Sequence, residues 1–311
     1  MLKRLSLLIA RQSWARKIAL STPGIRDLAW RFVAGEDLDA GIKVLHELAR
    51  RGIRGSLNHV GTHVHDEAEA IAAADASIEA IRRIRAEGLD AHVSVKPTQV
   101  GLDIDDDLCR RQLGRILDVA VPAAVFIRVD MEESPYVERT IAIFNELREA
   151  YGPEHVGIVI QSYLREHGGD LEGLIAAGSR VRIVKGGYWE DPATVFRSKP
   201  DIDAAFGRDV RLLLERGVAP AIATHDPIAI AAARAIAGEQ GRGVHDFEFQ
   251  MLYGVRPDLQ EALVRDGYQV RLYVPYGGDW FIYFLGCVRR LPAGFIRRIR
   301  TRVRRSRSPR S

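Results

Sequence analysis

The chain has 311 residues, 47% of them hydrophobic, and only two cysteines. That fills a core and excludes a disordered chain, a disulfide scaffold and a cysteine-based metal domain. The net charge of +4 sits in the tail, where eight arginines and no acid follow Ile296, so no basic face is built into the rest of the chain.

Residues 1–30 open with MLKRLSLLIARQSWARKIAL, whose apolar run from Leu5 to Ala10 is cut by Arg11. The run is too short for a signal peptide or for the ~20 residues of a membrane span. It predicts a surface amphipathic helix, and with so few cysteines a reducing, cytoplasmic setting. Strand-like runs then begin at Ser56 (SLNHV), Ala91 (AHVSVKP), Ala124 (AVFIRVDM) and Val156 (VGIVIQS). Four more begin at Arg180 (RVRIVKGG), Ala219 (APAIATH), Asp246 (DFEFQMLYG) and Tyr268 (YQVRLYVPYG). Most are rich in Val and Ile without strict alternation, as expected of strands buried on both faces.

Amphipathic segments separate them. One runs from Asp66 to Gly88 and ends in basic residues and a glycine, a helix stop. The acids Asp103, Asp105, Asp106 and Asp107 precede another, as capping and the helix dipole favour. Eight β/α units in roughly 250 residues predict an α/β fold, a single-domain (β/α)8 TIM barrel. The boundaries are an N-terminal helical segment over 1–30, the barrel over 31–296 and a disordered basic tail over 297–311. A doubly wound sheet is the rival, but no GxGxxG follows the first strand and no GxxxxGK[ST] occurs.

Catalytic groups of such a barrel stand at the C-terminal ends of its strands. Those ends carry Lys96, then Arg128, Asp130 and Glu132, then Gln161. Next come Arg182 and Lys185 before Gly186, Gly187, Tyr188 and Trp189, and then Thr224, His225 and Asp226. The last two strands carry Glu248, Gln250, Arg271 and Tyr273. Cations inside a barrel are costly unless paired, so this set predicts an anionic ligand or, as the plainer reading, internal ion pairs such as Lys96 with Asp130. Three chemistries fit: a lysine Schiff base, a His/Asp metal site, or a flat phosphate-bearing cofactor held beside the Gly-Gly turn. His59, His63 and His65, in NHVGTHVH, lack a matching carboxylate and are read as loop residues, and no metal is expected.

The strings SVKPTQVGLD, RVDMEES, IVIQSYLRE, RIVKGGYWE, ATHD, FEFQMLYGV and RLYVPYGGDWFIYF occur in that order. Together they resemble the proline dehydrogenase family, from about Phe32 to about Ala293. The resemblance implies a barrel that binds FAD and oxidises the C–N bond of L-proline to 1-pyrroline-5-carboxylate by hydride transfer to the flavin N5. Electrons then pass to a quinone or another acceptor. It implies a cofactor lined by Asp130, Gln161, Arg182, Val184, Lys185, Gly186, Gly187, Trp189, Thr224 and His225. It also implies catalytic roles for Lys96, Asp130 and Tyr273, with Leu252, Tyr273 and Tyr283 around the substrate ring and Lys96 at its carboxylate. Peripheral contact with the inner face of the membrane is implied by the quinone, and no nucleic-acid partner is expected.

One departure stands out. The family places an Arg-Arg pair for the substrate carboxylate where this chain has Gly286 and Cys287. A charge-assisted hydrogen bond contributes roughly 1.5–3 kcal/mol, so losing two corresponds to about a thousandfold in proline binding. Arg290, one turn on, reaches back toward a longer substrate, and Gly286 opens space. Three readings follow: an amine dehydrogenase with a related imino acid as substrate, L-proline oxidation with a rearranged clamp, or a non-catalytic flavin-binding relative. A lysine-dependent lyase is a further alternative.

Overall fold

The computed structural model describes residues 28–61 and 64–290, without the side chains of Gly168, Ile282 and residues 287–290. Eight parallel strands close into a barrel in sequence order. They are β1 (Arg54–His59), β2 (Ala91–Val95), β3 (Ile127–Val129), β4 (Val156–Gln161), β5 (Arg180–Val184), β6 (Val218–Ala223), β7 (Glu248–Leu252) and β8 (Gln269–Tyr276). Every expected strand forms. β3 is the shortest, three residues from Ile127 to Val129 where the run AVFIRVDM predicts more.

The helices are α1 (Leu38–Ala49), α2 (Glu67–Ala86), α3 (Asp106–Ala123), α4 (Val137–Tyr151), α5 (Gly168–Ala176), α6 (Lys199–Arg216), α7 (Pro227–Glu239), α8 (Pro257–Arg265) and α9 (Trp280–Arg290). Local chemistry sets their starts. Asp66 accepts from the Glu69 amide at 2.8 Å and Asp105 from the Leu108 amide at 2.8 Å, each satisfying a donor that a helix start leaves unpaired. Of the four acids at the start of α3, Asp105 is the cap, Asp106 and Asp107 lie in the first turn, and Asp103 accepts from the Tyr136 hydroxyl. Pro227 occupies the first turn of α7, where its missing N–H costs nothing. Among the described residues no helix is long and apolar enough to cross a membrane.

The strands alternate more strictly than their composition suggests. Leu57, Val93, Ile127, Ile158, Val181, Ile222, Phe249 and Leu272 are buried in the apolar layer beneath the helices. On β1, β2, β3, β5, β7 and β8 the residues between them face the barrel axis and are mostly polar, whereas β4 and β6 turn Gly157, Val159, Ala221 and Ala223 inward. Ser56 and Ser94 bond across β1 and β2 at 3.0 Å, and Arg182, Gln250, Arg271 and Tyr273 meet partners on other strands. The apolar core is thus the ring between sheet and helices, and the lumen is a polar network.

A smaller cluster seats the last helix. Phe32 and Val33 pack with Trp280 and Phe284 of α9, and the Trp280 indole donates to Glu36 at 2.8 Å. Gly254, at φ +76°, lies against the Arg31 carbonyl, where a Cβ would come within 1.5 Å. Only glycine fits there. Of the predicted helical segment over 1–30 only residues 28–30 are described, and the tail over 297–311 lies outside the described residues.

Gly157 on β4 faces the lumen, and a Cβ there would meet the Arg180 carbonyl at 2.4 Å and Phe126 at 2.7 Å. Gly207, inside α6, would meet nothing within 4 Å. Gly157→Ala is therefore expected to lose about 1–3 kcal/mol by overpacking. Gly207→Ala is expected to gain about 0.5–1 kcal/mol by restricting the unfolded chain. Chemical denaturation of the two variants beside the parent checks both signs.

Candidate active site

Asp130, just past β3, is the centre of the C-terminal half of the lumen. Its two oxygens take different partners from opposite sides of the barrel. Oδ1 pairs with the Arg182 guanidinium of β5, and Oδ2 accepts from the Tyr273 hydroxyl of β8 at 2.9 Å. Arg182 also donates to Gln250 of β7 at 3.2 Å and lies over the Tyr273 ring at 5.6 Å. Gln250 donates in turn to Glu248, whose carboxylate receives Arg271 at 3.0 and 3.1 Å, and Arg271 donates to the Gly55 carbonyl at 2.9 Å. One chain of polar contacts thus links β3, β5, β7, β8 and β1.

The network holds its charges in place. Burial works against the charged Glu248 carboxylate, but Arg271 and then Gln250 outweigh it and keep its carboxyl below the ordinary range. Burial, with Asp130 beside it, raises the Tyr273 phenol well above its ordinary value, so Tyr273 is a donor and not a base. The Arg182 Nε is buried without a partner.

Lys96 stands apart. The expected pairing with Asp130 does not form, because Asp130 is committed to Arg182 and Tyr273. Lys96 lies directly after β2 and leads into a short 3-10 turn over Pro97–Val100. Among the described residues, no carboxylate forms an ion pair with it. Its field reaches Glu132, whose carboxyl is raised by burial against the opposing influence of Lys96 and Thr98. Thr98 donates to Glu132 through its amide at 2.9 Å and its hydroxyl at 2.8 Å, and Gln161 donates to the Glu132 carbonyl at 2.7 Å. Glu132 and Gln250 thus brace the site, a role that strand position alone did not reveal.

After β5 the chain turns through Gly186 and Gly187, both exposed, and carries Trp189 at 77% exposure. Gly186 has φ +109°, and a Cβ would strike the Tyr163 ring at 2.1 Å. Val184 is half-buried at the strand end. Lys185 points the other way. Its ammonium meets Asp203 of α6 at 2.6 Å and Asp226, the cap of α7, at 2.7 Å. It therefore ties the helix layer to the rim.

At the next rim position Thr224 is buried, and its hydroxyl oxygen accepts from the Asp226 amide at 3.1 Å. His225 Nε2 accepts from the Leu252 amide at 2.8 Å. Because an amide donates to it, Nε2 carries no proton, and the neutral ring keeps its proton on Nδ1. Leu252 and Tyr283 are half-buried, and the field of Tyr283 reaches Tyr273. A Cβ at Gly286 would meet nothing within 4 Å. The side chains of Cys287 and Arg290 lie outside the described residues, as does His63.

Burial pushes the His225 imidazole down to about 4, with Arg256 adding to the effect. Between pH ~6.5 and ~4 the unfolded chain binds a proton that the folded chain does not, so stability falls as pH drops through that window. The slope reaches about 1.4 kcal/mol per pH unit, and the total is at most on the order of 3 kcal/mol. His225→Gln, which keeps an acceptor near Nε2, is expected to flatten the dependence of the unfolding midpoint on pH between 4 and 6.5.

Comparisons with known proteins bear on the family and the fold. A family described as "Proline dehydrogenase" matches residues 41–291. Proline dehydrogenase 1 of Bacillus subtilis (strain 168) is 35% identical over 293 residues, 94% of this chain and 96% of the relative. Proline dehydrogenase of Deinococcus radiodurans is 39% identical over 261 residues, 83% and 84% of the two chains. Among solved structures, proline utilization A from Bdellovibrio bacteriovorus superposes with a TM-score of 0.80 at 25% identity, covering 85% of this chain. The protein of that name from Corynebacterium freiburgense gives 0.72 at 26% identity and 93% coverage. This chain spans 32% and 33% of the lengths of those two structures. A closed polar-lined barrel with Asp130, Arg182 and Tyr273 at its centre, matched over most of its length by these relatives, belongs to the proline dehydrogenase family.

Proposed function

We propose that this protein is an FAD-dependent dehydrogenase that oxidises the C–N bond of L-proline or a close cyclic analogue. Lys96, without an ion pair among the described residues and next to the strand that carries Asp130, carries the reading. The residues present suit a flavin. Arg182 keeps a buried Nε donor without a partner, at the strand whose rim opens through Gly186 and Gly187. A ring system with acceptor atoms along one edge, and a phosphate-bearing tail along an open glycine turn, meets both features. FAD, when bound, supplies the two-electron acceptor for a hydride from the substrate ring.

The chain's own residues do the rest. Lys96 offers a cation to the substrate carboxylate. Asp130 fixes Arg182, which would hold the cofactor edge, and the Tyr273 hydroxyl, whose ring would form a wall of the substrate site. Leu252 and Tyr283 add apolar surface around the substrate ring. His225 offers its Nδ1–H, and Gln161 holds its amide with its donor committed to Glu132. Lys185 acts through the Asp203 and Asp226 pairs, which anchor the glycine turn. The open volume at Gly286 favours, as a second reading, a proline analogue bearing a larger substituent. We favour a quinone as the electron acceptor, reached at a membrane surface that the arginines of residues 297–311 suit by charge.

Anaerobic mixing with L-proline, followed in the visible spectrum, tests the activity. Bleaching of a yellow protein at millimolar proline is expected. A yellow protein that proline leaves oxidised, but an N- or C-substituted analogue reduces, establishes the second reading. Lys96→Met should raise KM roughly ten- to hundredfold, the loss of one charge-assisted contact, with the oxidised spectrum unchanged.

A further inference from the structure

The barrel has a second polar mouth. At the N-terminal ends of the strands, opposite the rim that carries Lys96 and His225, a cavity of about 320 Å3 opens among Arg54, His92, Phe126, Arg128, Arg180 and Arg271. Its walls hold four arginines, Arg54, Arg128, Arg180 and Arg271, against three acids, Asp90, Asp246 and Glu248. The acids are already engaged. Asp90 pairs with Arg54 at 2.9 Å, Glu248 takes Arg271, and Asp246 caps the Gly243 amide at 2.6 Å.

Two arginines are left over. Arg128 is 3% exposed, and Nη1 donates only to the carbonyls of Ile158 and Arg180. Its Nε is buried with no partner at all. Arg180 lies over the Phe126 ring at 5.4 Å, Arg128 lies over the same ring at 4.9 Å, and Arg180 has no ion pair among the described residues. Burial, and then the charge of Arg182, drives the Arg128 guanidinium down to about 9 against the opposing influence of Glu248 and Asp130, neither of which forms an ion pair with it. A planar guanidinium pair stacked about one aromatic ring is a ready fork for oxygen acceptors.

We propose that this mouth is a binding site for a small oxyanion, held between Arg128 and Arg180. The shared chemistry is two or more anionic oxygens, as in inorganic phosphate or a short dicarboxylate. The volume reaches the lower range of small-molecule pockets and admits either. The site is separate from the reading given for the opposite mouth. Its occupant neutralises Arg128, which stands below Arg182, and so reinforces the floor of the network without touching substrate.

The test titrates the full chain with inorganic phosphate and, separately, with succinate, following the unfolding temperature and the heat of binding against sodium chloride of equal ionic strength. A saturable rise with phosphate, with succinate or with both is expected, and the effective anion identifies the source. Arg180→Gln, which retains the backbone carbonyl that Arg128 uses, should weaken binding at least tenfold while substrate-driven bleaching is unchanged. Arg128→Leu should abolish binding. Should that variant fail to fold, calorimetry on the parent and Arg180→Gln decides alone. A rise that merely follows ionic strength, or equal binding by the parent and Arg180→Gln, overturns the proposal.

Discussion

The pairing of Asp130 with Arg182 is the constraint on which the lumen depends. A barrel interior this small is ordinarily filled with branched apolar side chains. Here it holds ionised groups that would be costly without partners. Asp130 solves the problem by facing two strands at once, Arg182 on β5 and Tyr273 on β8. Everything further down, from Gln250 to Glu248 to Arg271 and the Gly55 carbonyl, continues the same compensation. The network also fixes what remains available. It consumes Asp130 and, among the described residues, leaves Lys96 at one mouth and Arg128 toward the other without an ion pair.

That division gives the two ends of the barrel different characters. The C-terminal rim has glycines at Gly186 and Gly187, an exposed indole at Trp189 and a neutral imidazole at His225, features suited to a large flat ligand. The N-terminal mouth is a smaller arginine-lined hollow. Arg182 lies between them and feels both, through Asp130 above and the field of Arg128 below.

Much of the fold was legible in the sequence. All eight strands and the capped starts of α2 and α3 follow from Val/Ile-rich runs and from aspartates at helix entries. The alternation within the strands was less visible. Runs such as RVRIV and EFQML read as mixed, yet they place Arg180, Arg182, Glu248 and Gln250 inward and Val181, Ile183, Phe249 and Met251 outward. Counting parity from Arg182 would have sent Lys185 to the helix layer, where it meets Asp203 and Asp226. Pairing was harder still. Lys96 and Asp130 sit on neighbouring strands, and only the closed barrel brings Tyr273 and Arg182 close enough to take both Asp130 oxygens. The tautomer of His225 depends on the Leu252 amide, which no local pattern announces. The motif order, by contrast, carried the family directly.

The most direct test of the central claim is the rate of substrate-driven flavin reduction in Asp130→Asn, measured by anaerobic rapid mixing at saturating substrate. The account predicts a variant that still binds flavin but is reduced on the order of a hundredfold more slowly, because Arg182 and Tyr273 lose the common anchor that sets their positions. Reduction at the parent rate, with flavin fully retained, would contradict it.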